Sequence, residues 1–167
     1  GMGDCYNGTM IRDGLLGNML AGQMDIDFEG FRPAVLFING EYWGIHNIRE
    51  RNKSDYLEAN HGIDPDNLDI LENPSNGGVI EGDDLKYMEL LNFARSGDAA
   101  KDSTLSSLSQ FIDIQEFLNY QIAEIFVNNE DWAHNNVLCW RPRTVDGVFR
   151  WIFFDVEGGF GLYHNDD

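Results

Sequence analysis

Apolar positions recur at helical spacing near the start of the chain. Ile11, Leu15, Leu16, Met19 and Leu20 share one face, Thr9 is a cap and Gly22 a stop, with Arg12 and Asp13 on the other side. A helix is predicted over 9–21. Ala34 to Ile38 is apolar and β-prone, Asn39-Gly40 is a strong hairpin turn, and Tyr42 to Ile48 is the return strand. A short helix is expected over Asp55 to Asn60, ended by His61-Gly62, then turn signals from Asp64 and a short strand reaching Ile70. Asn73 to Gly82 reads as loop, Leu85 to Arg95 as a helix capped by Asp84 and stopped at Gly97, and polar Ser96 to Ser107 as loop. The strongest helix signal starts at Asp113, where Asp113 and Glu116 form a capping-box-like pair and Ile112 with Phe117 a staple. Phe111, Ile114, Leu118, Ile122 and Ile125 make its apolar stripe, so this helix is expected to be central and buried. A polar stretch, Asn128 to Asn136, follows. A second hairpin then pairs Val137 to Arg141 with Val148 to Phe154 across Asp146-Gly147, and its last strand ends at Asp155.

The chain has 167 residues, enough for one domain with a core, and 43% of them are hydrophobic. With 29 acidic and 11 basic residues the net charge is −18, which repels phosphate backbones and anionic lipid surfaces. Nucleic acid is therefore excluded as a partner by bulk electrostatics. No apolar run approaches the roughly 20 residues of a membrane span, so no membrane insertion is expected. Cys5 and Cys139 are too few for a thiolate zinc cluster or a dense disulfide scaffold, and whether they pair is open. Gly1-Met2-Gly3 reads as a cloning scar or an excised boundary. The chain is thus expected to be a fragment of a larger protein, truncated at both ends.

One ordered set of parts carries chemistry: a buried helix, a polar loop, a hairpin, then an acid followed by a glycine-rich turn. Asp131 and Asn136 are five positions apart, and Asp155 ends the following hairpin near Phe160-Gly161. A protein kinase is arranged this way, with an aspartate that receives the hydroxyl proton, an asparagine that binds metal, and a second aspartate that grips the metal at the phosphates. Hard oxygen ligands suit that cation.

Three motifs make the resemblance specific. Asn39-Gly40-Glu41-Tyr42-Trp43-Gly44-Ile45-His46-Asn47-Ile48-Arg49-Glu50 is similar to the signature of the spore coat protein H (CotH) kinase family. Asn129-x-Asp131-Trp132-x-x-Asn135-Asn136 resembles its catalytic-loop motif, and Trp151-Ile152-Phe153-Phe154-Asp155-Val156-Glu157 its aromatic strand leading to Asp-x-Asp, with Glu157 where the family has Asp. The likeness spans roughly residues 9–163. It implies an α+β, protein-kinase-like core, with a partial small lobe and hinge over 9–52 and a helical large lobe over 53–167. It also implies an extracellular, cell-surface or spore-coat kinase that uses ATP with Mg²⁺ or Mn²⁺ to phosphorylate Ser or Thr of a protein. By that resemblance Asp131 is catalytic and Asp155, Asn136 and Glu157 hold the metal, with Glu50 and Asn135 on the nucleotide side. The small-lobe lysine strand and glycine-rich loop would lie upstream of Gly1, and Asp13 is the only acid on the first helix.

Plainer readings compete. Asp131, Asn135 and Asn136 also suit a helix end, and Trp132 suits bracing of that loop. Asp25 to Gly30 is similar to the opening of an EF-hand loop, but the twelfth position is Leu36 instead of the required Glu. Asp64, Asp66 and Asp69 suit turn caps, and Glu50 a surface charge beside Arg49 and Arg51. Asn7-Gly8-Thr9 and Asn52-Lys53-Ser54 fit a short glycosylation pattern. His46, His61 and His164 carry no ligand spacing. Two other functions remain open: a non-catalytic cell-surface or coat interaction module on a kinase-like fold, and metal-dependent hydrolysis around Asp131, Asp155 and Glu157.

Overall fold

The computed structural model of the chain describes residues 11–97 and 101–160. The Thr9 cap, the Cys5 thiol, the first glycosylation pattern, Gly161 and His164 lie outside them.

The chain runs α1 (Arg12–Leu20), β1 (Asp27–Phe28), β2 (Phe31–Ile38), β3 (Glu41–Arg49), α2 (Ser54–His61), β4 (Leu68–Glu72), β5 (Val79–Glu81), α3 (Leu85–Ser96), α4 (Asp102–Leu108), α5 (Ile114–Val127), β6 (Leu138–Pro142) and β7 (Arg150–Phe153). It is an α+β chain with two sheets. One has five strands in the order β1-β7-β6-β4-β5, parallel only at β1–β7, and the other is the β2–β3 hairpin. β1 thus ties the segment before α2 into the sheet built by the later strands.

The hairpin turns where its sequence demands, since Asn39 and Gly40 both take positive φ, 51° and 84°. In the large sheet Leu138-Cys139-Trp140 and Trp151-Ile152-Phe153 are buried without a break. Both faces are covered, as such unbroken apolar strands require. Cys139, Trp151 and Phe153 face a core shared with Leu90 of α3, Tyr120 and Ala123 of α5, and Leu16 of α1. Leu138, Trp140 and Ile152 face Tyr56 and Leu57 of α2.

Several expectations are corrected. Asn73–Gly82 is not all loop, because β5 pairs with β4. Residues 102–108 form a helix within the segment read as loop. Asp84 stands at the start of α3 without capping it by its side chain, and Asp83 Oδ1 instead accepts the Leu85 N–H at 3.1 Å. The expected apolar faces of α1 and α5 are partly inverted: Leu16 is buried and Leu20, Phe111 and Ile114 pack against the core, but the other stripe residues are largely exposed. In α1 Ile11, Leu15 and Met19 are about half exposed, while Asp13, Gly14, Leu16 and Gly17 are buried. Gly14 is needed because any Cβ there would collide with the Phe31 ring of the hairpin. In α5 Leu118, Ile122 and Ile125 are exposed, and Glu116, Tyr120, Ala123, Glu124 and Val127 are buried. That inversion is tolerable because the buried acids find donors. Both Glu116 carboxylate oxygens accept the Trp151 N–H at 3.1 Å, and Glu124 Oε2 accepts from Asn129 Nδ2 at 2.9 Å. The capping box at α5 is half made, since Asp113 accepts the Glu116 N–H but Glu116 turns to β7.

Candidate active site

α5 ends at Asn128, whose φ of 50° reverses the chain. Asn129 anchors the loop that follows, donating to Glu124 and accepting the Asp131 N–H at 3.4 Å. Trp132 Nε1 donates to the buried Tyr120 hydroxyl at 2.9 Å, which braces the loop against α5.

Asp131 sits in this loop, half-buried. Its Oδ2 accepts from Asn135 Nδ2 at 2.9 Å and from Asn136 Nδ2 at 3.0 Å. Its Oδ1 lies 3.6 Å from Nε2 of the exposed His134. The Asn136 amide also donates to the Asp155 carbonyl at 3.2 Å. The structure therefore brings Asp131, Asn135, Asn136 and Asp155 together across 24 residues of chain. With both amide hydrogens engaged, Asn136 keeps its carbonyl oxygen as an acceptor. Asn135 is fixed from its other end, accepting from Asn73 Nδ2 at 3.1 Å, while Asn73 Oδ1 accepts the Val137 N–H at 3.1 Å.

Asp155 follows β7 in the left-handed region, φ 50° and ψ 46°, sparsely populated by residues other than Gly. The turn after it is clamped. Asp13 Oδ1 accepts the Val156 N–H at 3.0 Å, and Arg12 Nη1 donates to the carbonyls of Glu157 at 3.3 Å and Gly159 at 3.0 Å. Glu157 is buried and turned to Arg49, with Nη2 to Oε1 at 2.9 Å. Arg49 Nη1 also meets Asp13 Oδ2 at 2.6 Å and Glu29 Oε2 at 3.5 Å. Three carboxylates surround one guanidinium, with Asp155 close enough to add to the repulsion. Burial, then Asp13 and Asp155, push Glu29 up to about 7 against the pull of Arg49, and burial also raises Asp13.

Glu50 stands apart from this set. Its Oε2 accepts the Gly30 N–H at 3.0 Å and its Oε1 the Asn60 amide at 3.4 Å, which fastens the base of the hairpin to α2. Asp27 of the EF-hand-like segment is held by His61 Nε2 at 2.9 Å and Trp140 Nε1 at 2.9 Å. Burial would raise its carboxyl, but His61, Arg150 and Trp140 together hold it below the usual range. Asp69 is a fully buried strand residue paired with Arg141 and Arg143, which corrects its reading as a turn cap. Asn73, Asp13 and Arg49 were not singled out as site residues in the sequence. The lone acid on α1 signalled Asp13 and the hairpin motif contained Arg49, while Asn73 carried no signal.

The family model described as CotH kinase protein matches residues 2–167, nearly the whole chain. That is a class of kinases in the broad sense. The chain belongs to the CotH kinase family. No curated protein matches it. Among the described residues no helix is long and apolar enough to cross a membrane, and no group of three or more His, Cys, Asp or Glu is set to hold a metal ion.

Proposed function

We propose that this chain is an ATP- and divalent-metal-dependent protein kinase domain. It transfers the γ-phosphoryl group to a Ser or Thr hydroxyl of a spore-coat or extracellular protein. On this reading the fold is protein-kinase-like, with residues 9–52 as small-lobe part and hinge and 53–167 as large-lobe part carrying the catalytic and metal-binding loops. The carrying observation is the hydrogen-bonded set Asp131–Asn135–Asn136, joined to the backbone of Asp155.

Asp131 is the proton acceptor. Two amides hold its Oδ2, which fixes the carboxylate plane and leaves Oδ1 as the edge for a hydroxyl. As the hydroxyl oxygen bonds to the γ-phosphorus and the bond to the β-phosphate oxygen breaks, the hydroxyl proton passes to Asp131. Mg²⁺ or Mn²⁺, when bound with ATP, supplies charge neutralisation at the phosphate oxygens. The donor chemistry fits such a cation, which takes only one or two protein carboxylates beside phosphate and water. Asn136 through its carbonyl and Asp155 through its carboxylate would hold it, and Glu157 adds charge at the same turn. Asn135 and Glu50 are the nucleotide-side candidates.

The test is the unfolding midpoint with and without ATP and Mn²⁺, for the wild type and Asp155→Ala. A ligand that binds only the folded state raises the midpoint. The expected result is a metal-dependent rise that Asp155→Ala loses. Asp131→Ala should keep that rise yet transfer no phosphate to a protein acceptor. Normal transfer by Asp131→Ala would sink the assignment. No rise in the wild type would favour the interaction-module reading.

A further inference from the structure

Arg49 lies at the meeting point of three segments that are distant in the chain. It ends the hairpin strand β3, and its guanidinium joins Asp13 of α1, Glu29 beyond β1 and Glu157 beyond β7. The two prongs have separate tasks, with Nη1 on Asp13 and Glu29 and Nη2 on Glu157. Asp13 spends its other oxygen on the N–H of Val156, the residue after Asp155. The chain thus closes a ring of contacts: Arg49, Asp13, the Val156 amide, the turn to Glu157, and back to Arg49. Asp155 stands at one edge of that ring with positive φ. Asp and Asn are the residues other than Gly that enter that region most readily, and here the ring holds the turn that follows it.

Ion pairing alone does not account for this arrangement. Arg141 with Asp69 is a more deeply buried pair elsewhere, whose other partners are Arg143, Asp83, Pro142 and Phe149. We infer that Arg49, acting through Asp13 and Glu157, is the positioning residue that sets the Asp155 carboxylate for the cation. The inference rests on the kinase reading above. Lysine cannot replace Arg49, because a point charge on a flexible stem does not span two carboxylates with a rigid fork. Groups that orient a metal ligand from behind typically change metal affinity by about 10–100-fold when removed.

The experiment titrates Mn²⁺ at fixed ATP and reads the unfolding midpoint of the 167-residue chain. Wild type is compared with Arg49→Lys, Asp13→Asn and Arg141→Lys. Amide hydrogen exchange is followed at Val156 and along β4 and β6. The expected result is that Arg49→Lys and Asp13→Asn need about tenfold more Mn²⁺ or beyond. Their Val156 amide should exchange faster while β4 and β6 stay protected. Arg141→Lys should lower the midpoint without changing the Mn²⁺ requirement. If the wild type responds to Mn²⁺ and ATP but both site variants keep its Mn²⁺ requirement, the positioning role is overturned and the kinase reading stands. If the wild type does not respond, both fall. Should Arg49→Lys fail to fold, the nearly isosteric Asp13→Asn decides alone.

Discussion

Glu124 shows how much one side chain can govern behind the loop. It is buried in α5, with Oε2 bonded to Asn129 and the Tyr120 hydroxyl beside the carboxylate. Burial pushes its carboxyl up to about 7, against the pull of Asn129 and Tyr120 and with a push from Asp13. The folded chain therefore binds this proton more tightly than the unfolded chain does. The stabilisation is complete below the ordinary value of 4.5 and is lost as pH rises through about 7. Glu124→Gln keeps an acceptor for Asn129 and removes the titration. It should match the wild type near pH 4.5 and exceed its stability at pH 8 by roughly 1–3 kcal/mol. Urea unfolding midpoints at the two pH values check this, and an unchanged pH slope in the variant would refute it. Glu29, at about 7, and Glu116, raised by burial to about 8, act in the same direction. The remaining slope of the variant therefore reports on them.

The helices α1 and α5 each bury residues that the apolar pattern assigns to solvent, beside Leu16 and Ile114 of the expected stripes. For α5 this separates two substitutions five residues apart. Ile122 is 56% exposed, whereas Val127 is 1% exposed in the core. Ile122→Gln should change stability by no more than about 0.5 kcal/mol, and Val127→Ala should cost about 1–3 kcal/mol. Denaturant midpoints of the two variants decide which face is core. The strands and turns were legible because their signals are local. Asn39-Gly40 needs no distant partner to turn, and the β6 and β7 runs are apolar on both faces. Asp131, Asn136 and Asp155 were legible for the same reason, since their types and spacing stand in the sequence. The buried sides of α1 and α5 were not, because polarity alone does not reveal that a distant group will satisfy an acid. Glu116 waits on the Trp151 amide, and Asp13 on Arg49 and the Val156 amide. The need for Gly14 shows only once the Phe31 ring packs against it. Arg49 was visible only as part of a hairpin motif, and its partners come from three segments the sequence does not join.

At the scale of the whole molecule, a net charge of −18 imposes a self-repulsion that folding concentrates. Screening relieves it without any site. The Debye length falls from about 30 Å at 0.01 M salt to about 8 Å at 0.15 M, so NaCl across that range should raise the unfolding midpoint. The rise should be the same for the wild type and for Asp155→Ala once allowance is made for the variant's one fewer charge. A divalent cation at matched ionic strength separates the two causes. If acidity serves only as a diffuse repulsive shell, Mn²⁺ with ATP adds nothing that depends on one carboxylate. If the turn after β7 is a metal loop, the added rise appears in the wild type and vanishes in Asp155→Ala, while the NaCl response persists in both. Carboxylates crowded on Arg49 and a surface rich in acids would then be two uses of one composition. The surface charge would answer to salt, and the set at Asp155 to the cation that comes with phosphate.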